Sequence, residues 1–313
     1  MKLIHPSWKI IEQGSGLQGI YEQIELAGRT CYASTHKITY QENDECTGQY
    51  SITAKDFVDR MINSKHLSML EHGTVYLAIP HNPFSNVADS TFRYRYNPYS
   101  RVNNAMPTKP DICYVTTNYR VLVENSWLND LQYLCEPTEY HEKRVTVKFI
   151  TGIDISRELN RHRVNSMAEQ STRYCNYSKE KFGEELTCIL PSWINISEGK
   201  YDFVCFWDEE TTKRVSKEIG DTKEFDNIQA FITCLNIAEL NYFALLKGGW
   251  KPEQARKVLP LDLATELVHT AFVSDWKHLF SLRSSDAATG RPHPDCIALI
   301  DPLKEEFIKR NYI

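Results

Sequence analysis

Apolar residues recur along the chain with two periods. Trp8 to Glu12 reads as a short strand, and the Gly-rich GSGLQG that follows leads into a helical pattern at Ile20, Ile24, Leu26 and Ala27. Phe57 to Ile62 predicts a helix. Thr74 to Ile79 alternates Val75, Leu77 and Ile79 against Thr74, Tyr76 and Ala78, the signature of a strand. A further helix is expected around Val121 to Leu134. Val145, Val147 and Phe149 predict another strand, and Ile155 and Leu159 a short helix from about Asp154 that delivers Arg161, His162 and Arg163 at its end. Ile228, Phe231, Ile232, Leu235, Ala238, Tyr242 and Leu245 set out a long helix over 227–246, stopped by Lys-Gly-Gly. Pro252 opens the next helix and Pro260 closes it, with Arg256 between. The last strong helix, about Ser274 to Arg283, carries Trp276, Phe280 and Arg283 along one side. Helices and separated strands mixed in this order predict an α+β fold: one domain over 1–313 with a β-sheet, in which the Asn-, Pro- and Tyr-rich stretch 81–143 is an insertion. Within that stretch FRYRY alternates arginine and aromatic residues and reads as a strand rather than a nucleic-acid patch. No internal repeat is visible.

Composition narrows the function classes. The chain has 313 residues, 42% of them hydrophobic, enough for a substantial core. Net charge is −5, so general attraction to nucleic acid or to an anionic membrane is not expected. No long uncharged apolar run predicts a transmembrane helix, and the first residues lack the apolar centre of a signal peptide. Nine cysteines without a CxxC pair point away from disulfides and toward a reducing cytoplasm. His66 and His72 flank the 74–79 strand without cysteine or acid to complete a metal set, so no metal is expected. GSGLQG matches G-x-G-x-x-G, but STHKITYQEND, where the second strand and ribose-binding acid of a dinucleotide fold belong, has no convincing strand before its acids. A Gly-rich turn before a helix is the simpler reading.

Against this acidic background stands Arg161 to Tyr177, RHRVNSMAEQSTRYCNY, with three arginines and a histidine against one glutamate. A solvated face is the common fate of such a run. Three features favour anion binding. Ser171 and Arg173 are one residue apart, so an extended loop could aim hydroxyl and guanidinium at one phosphate. The stretch lacks apolar periodicity. Arg256 and Arg283 lie on otherwise apolar helices, where a charge needs a partner.

The string Arg161-His162-Arg163, seven residues, then Ser171-Thr172-Arg173 resembles the RHR-x7-S-x-R motif of the flavin-dependent thymidylate synthases. AGRTCY, Ala27 to Tyr32, is similar to that family's N-terminal helix end, and HLSMLEH, His66 to His72, to its flavin segment. EQARKVLPLDLAT, Glu253 to Thr265, and DWKHLFSLR, Asp275 to Arg283, resemble its C-terminal substrate-binding part. The resemblance implies an α+β homotetramer with active sites between subunits. It also implies methylation of dUMP to dTMP, with methylenetetrahydrofolate as carbon donor and NADPH-reduced FAD as hydride source. By matching position, Ser68, Arg161, His162, Arg163, Glu169 and His278 fall on FAD contacts. Glu158, Arg161, Gln170, Ser171, Arg173, Arg256 and Arg283 fall on dUMP contacts, and Arg283 on the arginine that stabilises ionised uracil. This chain departs from many relatives at Glu158, where they have Gln, and at Phe272-Val273-Ser274, where some have Asn-x-Arg. Cys175, just past the basic loop, is a tempting nucleophile, but the motif puts no cysteine in that role. Two other readings remain: an NAD-dependent Rossmann oxidoreductase using GSGLQG, and a nucleic-acid-binding module using RHR and FRYRY.

Overall fold

The computed structural model describes residues 1–43, 48–80, 91–106, 109–202, 209–220, 222–288 and 290–313. Asp44 and residues 81–90, which belong to two of the stretches read above, lie outside them.

The site is organised by a four-stranded antiparallel sheet in the order Ser7–Ile11, Arg144–Gly152, Ala264–Phe272, Ser166–Glu169. Register places Phe149 opposite Leu267, Val147 opposite His269 and Val145 opposite Ala271. With a side-chain period of two, these residues share one face. They pack there with Ile155 and Leu159 of the helix Ile153–Leu159, Trp276, Leu279 and Phe280 of Val273–Arg283, and Leu299, Leu303 and Phe307 of Pro294–Lys309. Val268 and Ala168 point the other way, into a second core with Ile20, Ile24 and Ala27 of the helix Gly16–Cys31. The sheet is therefore covered on both faces. Among the described residues the mix of helices and small sheets is α+β, as the pattern predicts.

Beyond the helix expected to be the last strong one, Pro294–Lys309 is a further helix; the central strand Ala264–Phe272 is another element the pattern reading passed over. All but two of its nine residues are buried, on both faces, so it shows no polar–apolar alternation. Three further expectations are corrected. FRYRY is not a strand: Phe92–Arg95 is a turn of helix. Tyr94 is fully buried and donates its hydroxyl proton to Asp130 at 2.5 Å, while Phe92 and Tyr96 are 51% and 73% exposed. A strand would bury all three aromatics alike. The helix expected over 121–134 breaks: Tyr119–Glu124 is helical, Ser126 turns at φ +58°, and Leu128–Tyr133 continues as a 3-10 helix. Ser166–Glu169, read as part of a polar loop, is the fourth strand of the sheet, with Ser166 and Ala168 buried.

Within 81–143 the strand Lys109–Asn118 pairs with Thr74–Pro80 on one side and with Arg101–Met106 on the other, and Cys113 and Val115 join the core under the Gly16–Cys31 helix. The long helix Thr222–Lys247 includes a segment, Phe225–Lys247, long and apolar enough by length and composition to cross a membrane, which the sequence reading did not expect. In the fold its Ile228, Ile232, Leu235 and Tyr242 pack with Val215, Ala255 and Leu263, and Glu239 accepts the Leu186 amide at 2.7 Å.

GSGLQG is explained by packing. The strand before it, Ser7–Ile11, pairs antiparallel with Arg144–Gly152, and Tyr40–Asn43 pairs only with Gly48–Ser51. No parallel βαβ unit forms there among the described residues. Gly16 turns at φ +65°, and a Cβ on Gly19 would lie 1.8 Å from the carbonyl oxygen of Gly14. In an exposed helix Gly→Ala stabilises by up to about 1 kcal/mol. Here the backbone contact wins, and Gly19→Ala should lower the unfolding free energy by roughly 1–3 kcal/mol. Denaturant melting of the two proteins measures this; an unchanged or raised midpoint would refute the close approach.

Candidate active site

Two groups of the singled-out residues come together around the helix Ile153–Leu159. The first centres on Arg283, the last residue of Val273–Arg283. Its Nη1 donates to Glu158 Oε2 at 2.6 Å, its Nη2 to the Glu158 carbonyl at 3.3 Å, and its Nε to His162 Nε2 at 3.2 Å. The His162 ring lies 6.1 Å from that of His278, between centroids. Glu158 thus answers the question raised by a charged residue on an apolar helix: it is the partner Arg283 requires.

His162 is almost fully buried. Burial first, then the Arg283 guanidinium and the neighbouring His278 and Arg161, lower its pKa to about 4. It is neutral at physiological pH, which leaves the Nε2 lone pair free to accept from Arg283. Behind it, His269 is wholly buried, accepts at Nε2 from Asn165 Nδ2 at 2.8 Å, and is pushed well below the ordinary histidine range by desolvation. His72, also buried, shares a 2.9 Å hydrogen bond with the Thr270 hydroxyl and is lowered to about 3.

The second group lines an open cavity of about 670 Å³. Gln170, Ser171 and Thr172 form one wall; Arg157, Arg256 and Lys257 bring positive charge, against Glu169. Arg256 Nη1 donates to Thr172 Oγ1 at 3.3 Å. Glu169 is held in place by the Ser156 hydroxyl at 2.7 Å and Asn160 Nδ2 at 3.0 Å. The loop leaves the sheet through the Gln170 amide, which donates to the Glu266 carbonyl at 2.8 Å, and the Ser171 amide donates to the Cys31 carbonyl at 2.9 Å. Hydroxyls, an amide and cations around an open space can hold an anionic ligand by charge-assisted hydrogen bonds.

Other residues stand apart. Arg173 is exposed and its Nε lies 3.3 Å from Glu253, so its guanidinium does not share the cavity wall with Ser171. Arg161 and Arg163 are exposed, and no ion pair holds either among the described residues. Ser68 lies half-buried in the 3-10 turn Leu67–His72. Arg157, Thr172 and Lys257 line the cavity without having been singled out by sequence. A basic residue at a helix end carries no mark that tells a ligand contact from a solvated charge. Cys175 is buried, and burial raises its pKa; Arg173 does not activate it. Cys31, on the cavity wall, is raised to about 11 by burial and by Cys175 and Glu169. Neither thiol has the lowered pKa of a nucleophile. Asp154, His293 and Asp295 also place one potential ligand atom each within 4.8 Å of one another, a grouping the sequence did not reveal. Both carboxylates serve backbone amides: Asp154 Oδ1 accepts from Ile155 and Asp295 Oδ1 from Ser192.

The geometry defines a cation-rich, hydroxyl-bearing cleft on an α+β scaffold. Residues 138–291 match the family model described as thymidylate synthase complementing protein, and this segment belongs to that family. The resemblance drawn from RHR-x7-S-x-R falls inside it. No curated protein sequence matches the chain. Among solved structures it is similar to the UMP/dUMP methylase PolB from Streptomyces cacaoi bound with 5-Br dUMP. Identity is 15%, covering 99% of this chain and 93% of that one, with a TM-score of 0.42. It is also similar to Thymidylate Synthase X from Helicobacter pylori with FAD and dUMP, at 13% identity, 96% and 92% coverage and a TM-score of 0.37. At these scores neither likeness carries an argument.

The buried histidines set a pH dependence. Their folded-state pKa values lie below the ordinary 6.5, so the unfolded chain takes up protons first. Stability should therefore be complete above about pH 6.5 and fall as pH drops toward 4, the window of the His162 shift. Denaturant midpoints measured across this range check it. His162→Gln, which keeps an acceptor for Arg283, should flatten part of the slope; an unchanged slope would remove His162 from the effect.

Proposed function

We propose that the protein is a thymidylate synthase of the FAD-dependent type, methylating dUMP to dTMP with methylenetetrahydrofolate as carbon donor and NADPH as the source of reducing equivalents. The observation that carries this reading is the RHR-x7-S-x-R string inside the matched family segment, with Gln170, Ser171 and Arg256 around one cation-rich cavity. We further propose a cytoplasmic homotetramer, with 1–313 acting as one unit that carries 81–143 as an insertion.

The residues suit the ligands. Gln170, Ser171 and Arg256 would receive the dUMP phosphate, joined by Arg173 once it leaves Glu253. Arg161 and Arg163, exposed and without an ion pair among the described residues, fit a pyrophosphate. Ser68, His162, Glu169 and His278 would complete the FAD site. When bound, FAD supplies a hydride acceptor and donor. The chain itself supplies position and charge. Uracil C5 is a poor nucleophile, and a guanidinium at the O4/N3 edge stabilises the charge that builds there as C5 attacks. Arg283 takes that role. Glu158 and neutral His162 hold its guanidinium, so its donors are oriented before substrate arrives. In this chain the uracil would share Arg283 with Glu158, and this carboxylate, where many relatives have an amide, also gives the half-buried Arg283 a partner before substrate arrives.

An absorbance scan of purified protein, before and after addition of FAD and then dUMP, tests the reading. A bound flavin spectrum that dUMP perturbs is expected. A protein that neither carries nor takes up FAD would refute it, leaving the dinucleotide and nucleic-acid readings to be tested with NAD and with an oligonucleotide at several salt concentrations.

With FAD saturating, Arg283→Ala should lower dTMP turnover on the order of 10²–10³-fold, as for loss of one preorganised charge-stabilising group. Cys175→Ala should keep most of its activity, because that thiol is buried and its pKa raised. An inactive Cys175→Ala with full flavin and normal dUMP binding would demand a thiolate mechanism, and a fully active Arg283→Ala would take Arg283 out of the chemistry.

A further inference from the structure

A second cavity, of about 860 Å³, opens beside the first and is walled by cations with no acid among them. Lys37 comes from the 3-10 turn Thr35–Lys37, Arg60 from the helix Ala54–Asn63, and Lys179 and Lys181 from the segment after the basic loop. Arg29 also faces it but is spoken for: its Nε lies 2.7 Å from the buried carboxylate of Glu25, which the Ser51 and Thr53 hydroxyls satisfy as well. Lys181 Nζ donates to the Ala33 carbonyl at 2.9 Å. Lys37, Arg60 and Lys179 are exposed and make no ion pair among the described residues. In a chain of net charge −5, gathering unpaired cations around one cavity costs repulsion that an anionic ligand would relieve.

The cavity also has an aromatic wall. Tyr32 and Tyr174 rings stand 5.8 Å apart, the Tyr32 hydroxyl shares a 3.0 Å hydrogen bond with His66 Nδ1, and Tyr174 is 60% exposed. The volume is far more than one phosphate needs and falls within the roughly 300–1,000 Å³ of organic-ligand sites.

The two cavities border a common space, which Glu185 and Glu266 also line. An intervening space of about 600 Å³ shares Gln170 with the Ser171–Arg256 cavity and His36 and Lys181 with the basic one. An elongated molecule can lie along this trough with one end at Gln170 and the other among Lys37, Arg60 and Lys179. We propose that the basic cavity binds the polyanionic tail of an elongated co-substrate whose reactive ring reaches toward Gln170. Under the proposed function two molecules have that chemistry: a folate carrying a γ-linked glutamate chain, with one carboxylate per added residue, and a dinucleotide bearing a 2′-phosphate.

The choice of probes rests on the proposed function; the binding measurement does not need dUMP turnover. A protein that binds a probe but forms no dTMP would keep this site and lose that function. Full-length protein is titrated calorimetrically with γ-linked tetraglutamate and, separately, with 2′,5′-ADP. One of them should bind saturably, and more weakly as salt is raised. Saturation by tetraglutamate assigns the cavity to the folate tail, and by 2′,5′-ADP to the dinucleotide. Lys37→Glu combined with Lys179→Glu should weaken that binding at least about tenfold, and the matching glutamine pair by a smaller factor. Both lysines are exposed, and the melting temperatures of the variants check that folding is kept. The proposal is overturned if neither probe binds, or if both double variants bind as the unaltered protein does.

Discussion

The antiparallel pairing of Ala264–Phe272 with Arg144–Gly152 is the constraint on which the rest of the site depends. Each strand runs directly into a helix, and register sets Gly152 against Ala264 and Arg144 against Phe272, so the two helices start at opposite ends of one ribbon. A nine-residue strand spans about 30 Å. Helices of seven and eleven residues, laid back along it from opposite ends, cover about 10 and 16 Å. Their C-terminal ends therefore meet near the middle. That is where Arg283 finds Glu158, and where the chain leaving the first helix presents His162. A slip of one residue in the strand pairing would turn Phe149 and Leu267 to the opposite face and separate this contact.

The same sheet explains why the site is built from neutral histidines and paired arginines. His269 occupies a position between Phe149 and Trp276, with ring centroids 6.4 and 4.4 Å away, where a proton would cost heavily. On the other face, His72 reaches the Thr270 hydroxyl, which also meets Thr146 at 2.8 Å. Arg144, fully buried, donates to the Glu71 carbonyl, the Thr74 hydroxyl and the Ser166 hydroxyl, and so ties the sheet to the 67–72 turn and the last strand. Positive charge inside the fold is thus consumed by fixed partners. The cations left over, on Arg161, Arg163, Lys37, Arg60 and Lys179, lie at the surface around the clefts.

Much of this was written locally. Periodicity located the helices at Gly16–Cys31, Ala54–Asn63, Thr222–Lys247 and Val273–Arg283 and the strands at Thr74–Pro80 and Arg144–Gly152, whose aliphatic residues alternate with residues of other types although both faces are buried. The RHR-x7-S-x-R string lies within the segment that matches the family model. Pattern failed where apolar residues stand next to each other on both faces of a strand, as Leu267 and Val268 do, or where burial is unequal. The strand Ala264–Phe272 lacks alternation for the first reason, and FRYRY alternates in composition while only Tyr94 is buried.

The sequence by itself therefore determined several of the helices, where positive charge gathers in an acidic chain, and which family model the 138–291 segment matches. Tertiary structure alone decided which charges remain available. Arg283 and Glu158 are 125 residues apart, and only strand register brings them within 2.6 Å. Arg173, two positions from Ser171 in the sequence, is drawn away by Glu253, 80 residues on. Whether an arginine is a ligand contact, a buried pair or a solvated charge depends on what stands within about 4 Å of it, and that distance is set by the packing of segments the chain holds far apart.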